Sequence, residues 1–149
     1  MGNSKKILVI EDDPSSLRLT HYLLEHKGYQ VLTATNGLDG LRKARREKPD
    51  LVILDIMLPG MDGYEICHHL RADPETAPMP ILMLSAKARE VDRETGLKVG
   101  ADEYMTKPAS PSEIIARIEG LLRPKGKRQR ACESVRSRVA DVEVTEEVG

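Results

Sequence analysis

The sequence predicts an α/β fold, a doubly wound five-stranded parallel sheet. Short apolar runs recur along the chain, a helix-like segment fills each interval between them, and carboxylates close two of the runs. The first run gives a strand over Lys6–Ile10 that ends in Glu11-Asp12-Asp13. A helix starts directly behind it, because Asp13 suits the N-cap and Pro14 the first helical position. Leu17, Leu23 and Leu24 share its inward side, and Gly28 stops it. Gln30–Ala34 is the second strand. The third, Leu51–Leu54, opens an apolar stretch that should be buried, so Asp55 is held at a strand's carboxyl end. Leu58-Pro59-Gly60 then breaks the strand, and Asp62-Gly63 turns into a helix. Residues 81–84 and 103–105 supply the last two strands, each followed by a polar residue at its end, Ser85 and Lys107. Ser110-Pro111-Ser112-Glu113 is a capping box, and the helix behind it carries Ile114, Ile115, Ile118, Leu121 and Leu122 towards a stop at Pro124.

A chain of 149 residues, 40% hydrophobic, sustains one core with a remainder. The expected division is a folded domain over residues 1–123 and a charged, disordered tail over 124–149, basic from Lys125 to Arg138 and acidic beyond. The formal charge of -1 argues against a generally basic nucleic-acid binder, so no direct nucleic-acid binding is expected. The apolar runs are too short for a membrane span or a secretory signal, and a cytoplasmic protein is expected. Cys67 and Cys132 form neither a disulfide framework nor a metal-ligand pair, and His21, His26, His68 and His69 are scattered, solvated helix residues.

The strand-end residues define the chemistry. Two unit charges near 4 Å repel by about 4 kcal/mol at an effective dielectric of ~20, so Glu11, Asp12 and Asp55 in one cleft need a cation. All-oxygen donors with room for water suit Mg²⁺, with Mn²⁺ as a substitute. Ser85 and Lys107 should face the same cleft. A carboxylate nucleophile, a hard metal, a hydroxyl and a lysine together make a site for phosphoryl transfer, with Asp55 as acceptor.

Four motifs in register now carry a resemblance. Residues 7–14 (Ile-Leu-Val-Ile-Glu-Asp-Asp-Pro), Asp55 to Gly63, Leu84-Ser85-Ala86, and Gly100 to Pro108 with Lys107 inside it resemble the receiver domain of two-component response regulators, over about residues 5 to 123. The resemblance implies a flavodoxin-like strand order 2-1-3-4-5. It implies that Asp55 accepts phosphate from a sensor histidine kinase or a phosphotransfer protein, and that a downstream protein target reads the result. Asp12, Asp55 and the Met57 backbone carbonyl would hold Mg²⁺, with Glu11 acting through water. Lys107 would pair with the phosphoryl group, Ser85 would be the switch hydroxyl, Ala86 the small residue beside it and Tyr104 the aromatic that turns inward. Two positions depart from the family's habit: Ala109 stands where an aromatic is frequent, so looser packing is expected there, and Ser85 replaces a frequent threonine while keeping the hydroxyl.

Arg93, Asp102, Glu103, Glu113 and Arg117 fall on the face through which some of these regulators dimerise, with Arg93 opposite Glu113 and Glu103 opposite Arg117 across a two-fold axis. A merely charged, solvated face is the alternative. The leading expectation is a switch that is not a turnover enzyme. A Mg²⁺-dependent aspartate phosphatase is the enzymatic alternative, although Met57 stands where that class carries a second Asp. A flavodoxin-like cofactor binder is disfavoured because acid, not a Gly/Ser-rich phosphate loop, follows the first strand. The output is read as that of a stand-alone receiver, with a receiver belonging to a larger DNA-binding regulator as the other possibility.

Overall fold

A computed structural model describes residues 4–123. Five strands alternate with five helices: β1 (Lys6–Ile10), α1 (Pro14–His26), β2 (Gln30–Ala34), α2 (Gly37–Glu47), β3 (Leu51–Leu54), α3 (Gly63–Ala72), β4 (Ile81–Ser85), α4 (Glu90–Val99), β5 (Glu103–Thr106) and α5 (Pro111–Leu121). All neighbouring strands pair in parallel, in the order β2-β1-β3-β4-β5. The strands expected over 81–84 and 103–105 each run one residue further, because Ser85 pairs with Thr106 and extends the ladder. The expected tail, with Cys132, lies outside the described residues.

The sheet is buried on both faces because side chains alternate along each strand. Leu8, Ile10, Val52, Leu54, Met83 and Tyr104 join Ile66 and Leu70 of α3 in one half of the core. Ile7, Val9, Ile53, Leu82, Leu84 and Met105 join Leu24 of α1 and Ile114, Ile118 and Leu121 of α5 in the other. Each fully buried Leu, Ile or Val contributes about 1.5–3 kcal/mol of transfer free energy, so these two halves are what holds the strand ends in place. Ala109 packs against the second half without an aromatic ring.

Caps fix where the helices begin. Asp13 accepts from the Ser16 amide at 2.8 Å ahead of Pro14, as its sequence context predicts. Asp62 and Glu65 form a reciprocal box at α3, and Ser110 and Glu113 do the same at α5. Gly63, the first residue of α3, must lack a side chain: a Cβ there would sit 2.6 Å from both the Asp55 carbonyl oxygen and the Ile56 Cα. The amino edge of the sheet is tied by Arg71. Its guanidinium donates to the carbonyls of Gly100, Ala77 and Met79 and, at 2.8 Å, to Asp102, whose carboxylate also accepts from the Ile81 amide.

Candidate functional site

The carboxyl ends of β1 and β3 lie side by side because Ile10 pairs with Leu54. The chain leaving each strand therefore delivers acid to one place: the Glu11 amide donates to Ala34 O at 3.0 Å, and the Asp55 amide to Ile10 O at 3.1 Å. Glu11, Asp12 and Asp55 present carboxylate oxygens that all lie within 4.8 Å of one another. Glu11 and Asp55 are buried, Asp55 to 8% exposure, whereas Asp12 is open to solvent. Oxygen-only donors at this separation, one of them exposed enough to leave room for water, fit a hard divalent cation.

Lys107 reaches the cluster from the end of β5. Its backbone is fixed by its amide, which donates to Ser85 O at 2.7 Å, and its ammonium donates to Glu11 Oε1 at 2.5 Å, Asp55 Oδ2 at 3.2 Å and Ser16 Oγ at 3.1 Å. The other Asp55 oxygen, Oδ1, accepts from the Met57 amide at 3.1 Å, which fixes the carboxylate's orientation. The Met57 side chain is 57% exposed, so it does not close the cleft with a packed wall.

One lysine serves two buried carboxylates, and the protonation equilibria reflect this. Burial raises the Glu11 pKa and the charge of Asp55 adds to the rise, while the Lys107 hydrogen bond pulls against it without prevailing. Burial pulls Lys107 down, but its hydrogen bond to Glu11 and the charges of Asp55 and Glu11 outweigh that and hold it above its usual value.

Ser85 is fully buried at the end of β4, and its hydroxyl accepts from the Lys87 amide at 3.3 Å. Ala86 beside it is exposed. Tyr104 sits inward with 2% exposure and donates its phenol proton to Lys87 O at 2.7 Å. Thus Glu11, Asp12, Asp55 and Lys107 converge, with Ser85 at an adjacent strand end and Tyr104 joined to it through Lys87. Ser16 escaped the sequence reading, since a serine in the first turn of a helix reads as a capping residue and nothing local marks its contact with Lys107.

On the charged face around α4, β5 and α5 the described contacts lie within one chain. Glu103 and Arg117 pair at 2.7 Å within the chain. Asp102 turns towards Arg71 and the Ile81 amide and so belongs to the amino edge of the sheet. Arg93 donates to Tyr104 O at 3.0 Å, and Glu113 caps α5.

The fold and this carboxyl-edge site together define a response regulator receiver domain, and residues 7–119 match that family. The chain belongs to it. It is 52% identical over 120 residues to the alkaline phosphatase synthesis transcriptional regulatory protein PhoP of Bacillus subtilis, a match covering 80% of this chain and 49% of that protein. The chain thus spans about half the length of the curated relatives it matches. A response regulator structure from Chloroflexus aurantiacus superposes with a TM-score of 0.79 at 33% identity, covering 82% of this chain and all of that one. The receiver domain of a sensor histidine kinase from Pseudomonas aeruginosa, solved with a magnesium ion coordinated in its active-site cleft, gives 0.75 at 30% identity, covering 80% and 98%. Among the described residues, no helix is long and apolar enough to cross a membrane.

Proposed function

We propose that the chain is a phosphorylation-controlled switch whose acceptor is Asp55. The observation that carries this reading is the convergence on Asp55: one oxygen on the Lys107 ammonium, the other on the Met57 amide, and two further carboxylates within 4.8 Å. A carboxylate oxygen of Asp55 attacks phosphorus of a phosphohistidine on a sensor histidine kinase or phosphotransfer protein. The phosphorus–nitrogen bond breaks and the imidazole leaves with its electron pair. Lys107 then exchanges part of its contact with Asp55 for the phosphoryl oxygens, and Ser85 turns its hydroxyl from Lys87 towards them.

Mg²⁺, when bound, supplies positive charge against the phosphoryl oxygens, with Mn²⁺ as its substitute. Asp12, Asp55 and the Met57 carbonyl would hold it, and Glu11 would act through water. In this reading the chain is a cytoplasmic switch that turns over no external substrate, and it signals by partner binding or dimerisation. The relatives named as transcriptional regulators, about twice as long as the matched region, support transcription as the process controlled.

The test is intact-mass spectrometry after incubation with acetyl phosphate and Mg²⁺. Wild type should gain one phosphoryl group and Asp55→Asn none, because the amide matches the carboxylate in shape but is not nucleophilic. Equal incorporation in the variant would place the acceptor elsewhere, and steady hydrolysis of external phosphoesters would favour a phosphatase.

A further inference from the structure

Tyr64 is absent from every motif that identifies the site, yet it begins where Asp55 is anchored. Its neighbour Gly63 lies so close to the phosphoacceptor backbone that a Cβ would meet the Asp55 carbonyl at 2.6 Å, and the Gly63 amide donates to Ile56 O at 2.8 Å. The start of α3 therefore follows any movement of the Asp55–Ile56 backbone. From that turn the Tyr64 phenol reaches α4 and donates to the Asp92 carbonyl at 3.1 Å. Asp92 is buried in the first turn of α4, its carboxylate held by Arg89 at 3.0 Å.

Tyr104 holds the same region from the other side. Its ring lies against α4 so tightly that a Cβ on Gly96 would come within 2.8 Å of it, and its phenol binds Lys87 O in the loop leading to α4. Burial, then Tyr64 and Asp92, pushes Tyr104 up to about 12, and burial, then Asp92 and Asp62, raises Tyr64, so both stay neutral donors near neutral pH.

We infer that Tyr64 is a positioning residue that couples Asp55 to α4, holding that helix in the docked arrangement in which Tyr104 is inward. Two routes then link the acceptor to one helix. Ser85, Lys87 and Tyr104 form the first, and Gly63, Tyr64 and the Asp92 carbonyl form the second. This inference rests on Asp55 being the phosphoacceptor, and it adds a residue whose loss changes the response without touching the phosphoryl group. Tyr64→Phe removes one hydroxyl and keeps the ring, so the fold is retained.

The experiment is amide hydrogen exchange of α4 in the full chain, titrated with beryllofluoride in Mg²⁺, for wild type, Tyr64→Phe and Tyr104→Phe. In wild type, beryllofluoride should slow α4 exchange. In Tyr64→Phe, α4 should exchange several-fold faster, exchange elsewhere in the core should be unchanged, and the titration midpoint should rise about fivefold, the equilibrium equivalent of one lost phenol hydrogen bond. Because both phenols hold the start of the same helix, the Tyr64→Phe/Tyr104→Phe pair should shift the midpoint by less than the two single shifts combined. Faster exchange with an unmoved midpoint would make Tyr64 a structural strut and overturn the coupling. A responsive wild type matched by Tyr64→Phe in both readouts would overturn it too. A wild type that does not respond to beryllofluoride would sink the phosphoacceptor reading and the coupling together.

Discussion

The two edges of the sheet solve the same electrostatic problem in opposite ways. At the amino edge a single guanidinium, Arg71, meets one carboxylate, Asp102, and three carbonyls, so positive charge and acceptors are matched. At the carboxyl edge a single ammonium, Lys107, meets Glu11 and Asp55, with Asp12 close by, so negative charge is left in excess. A balanced cluster can only hold the fold together. An unbalanced one is a standing demand for cations, which a divalent ion would satisfy. The comparison teaches that charge balance, more than residue type, separates a structural cluster from a reactive one.

The largest expected effect falls at the balanced edge. Arg71→Ala takes the cation from the partly buried Asp102 carboxylate, which keeps the Ile81 amide, and a donor from each of three carbonyls, and it should cost about 3 kcal/mol, or roughly 10 °C in melting temperature. Phosphoryl incorporation at Asp55, measured below the new melting point, should persist. If incorporation were lost instead, the edges would not be separable.

Gly63→Ala should cost less, about 2 kcal/mol by denaturant unfolding, because relieving contacts at 2.6 Å requires moving the Asp55–Ile56 backbone. Unlike Arg71→Ala, it should also slow phosphorylation. Unchanged kinetics would mean that α3 gives way and the acceptor does not.

The smallest of these stability effects belongs to Lys107 and carries a sign in pH. The folded pKa of Lys107 lies above the unfolded value of 10.5, so its contribution is fully present below that value and fades as pH climbs through the raised one. Glu11 works in the other sense. Its raised pKa means that ionisation opposes folding, an effect relieved as pH falls towards that pKa. Chemical denaturation of wild type and Lys107→Met between pH 8 and roughly 11 should therefore show a stability gap that closes with rising pH. A gap constant across that range would mean that the ion pairs carry none of it.

How much of this was legible in the sequence follows from range. The strands, the Asp13 and Ser110 caps and the acid at the ends of β1 and β3 are local patterns, and they appear where the sequence puts them. The meeting of Glu11, Asp12, Asp55 and Lys107 was legible because a parallel sheet lines up carboxyl ends. Arg71 was not, since its acceptors are backbone carbonyls in loops 6 to 29 residues away and no side-chain pattern marks them. Asp102 was misplaced on an outer face for the same reason, because its partner lies 31 residues upstream on another element. The pairing of Glu103 with Arg117 inside the chain was not legible, because charge pattern gives complementarity without saying which chain provides the partner.

The most direct measurement of the excess negative charge at the carboxyl edge is the melting temperature as a function of Mg²⁺ concentration, in wild type and in Asp12→Ala. Wild type should gain stability along a saturable curve, as a ligand that binds only the folded state requires, and Asp12→Ala should need roughly tenfold more Mg²⁺ or more for the same gain. A wild-type melting temperature that does not move with Mg²⁺, or a curve that Asp12→Ala leaves unchanged, would contradict the account.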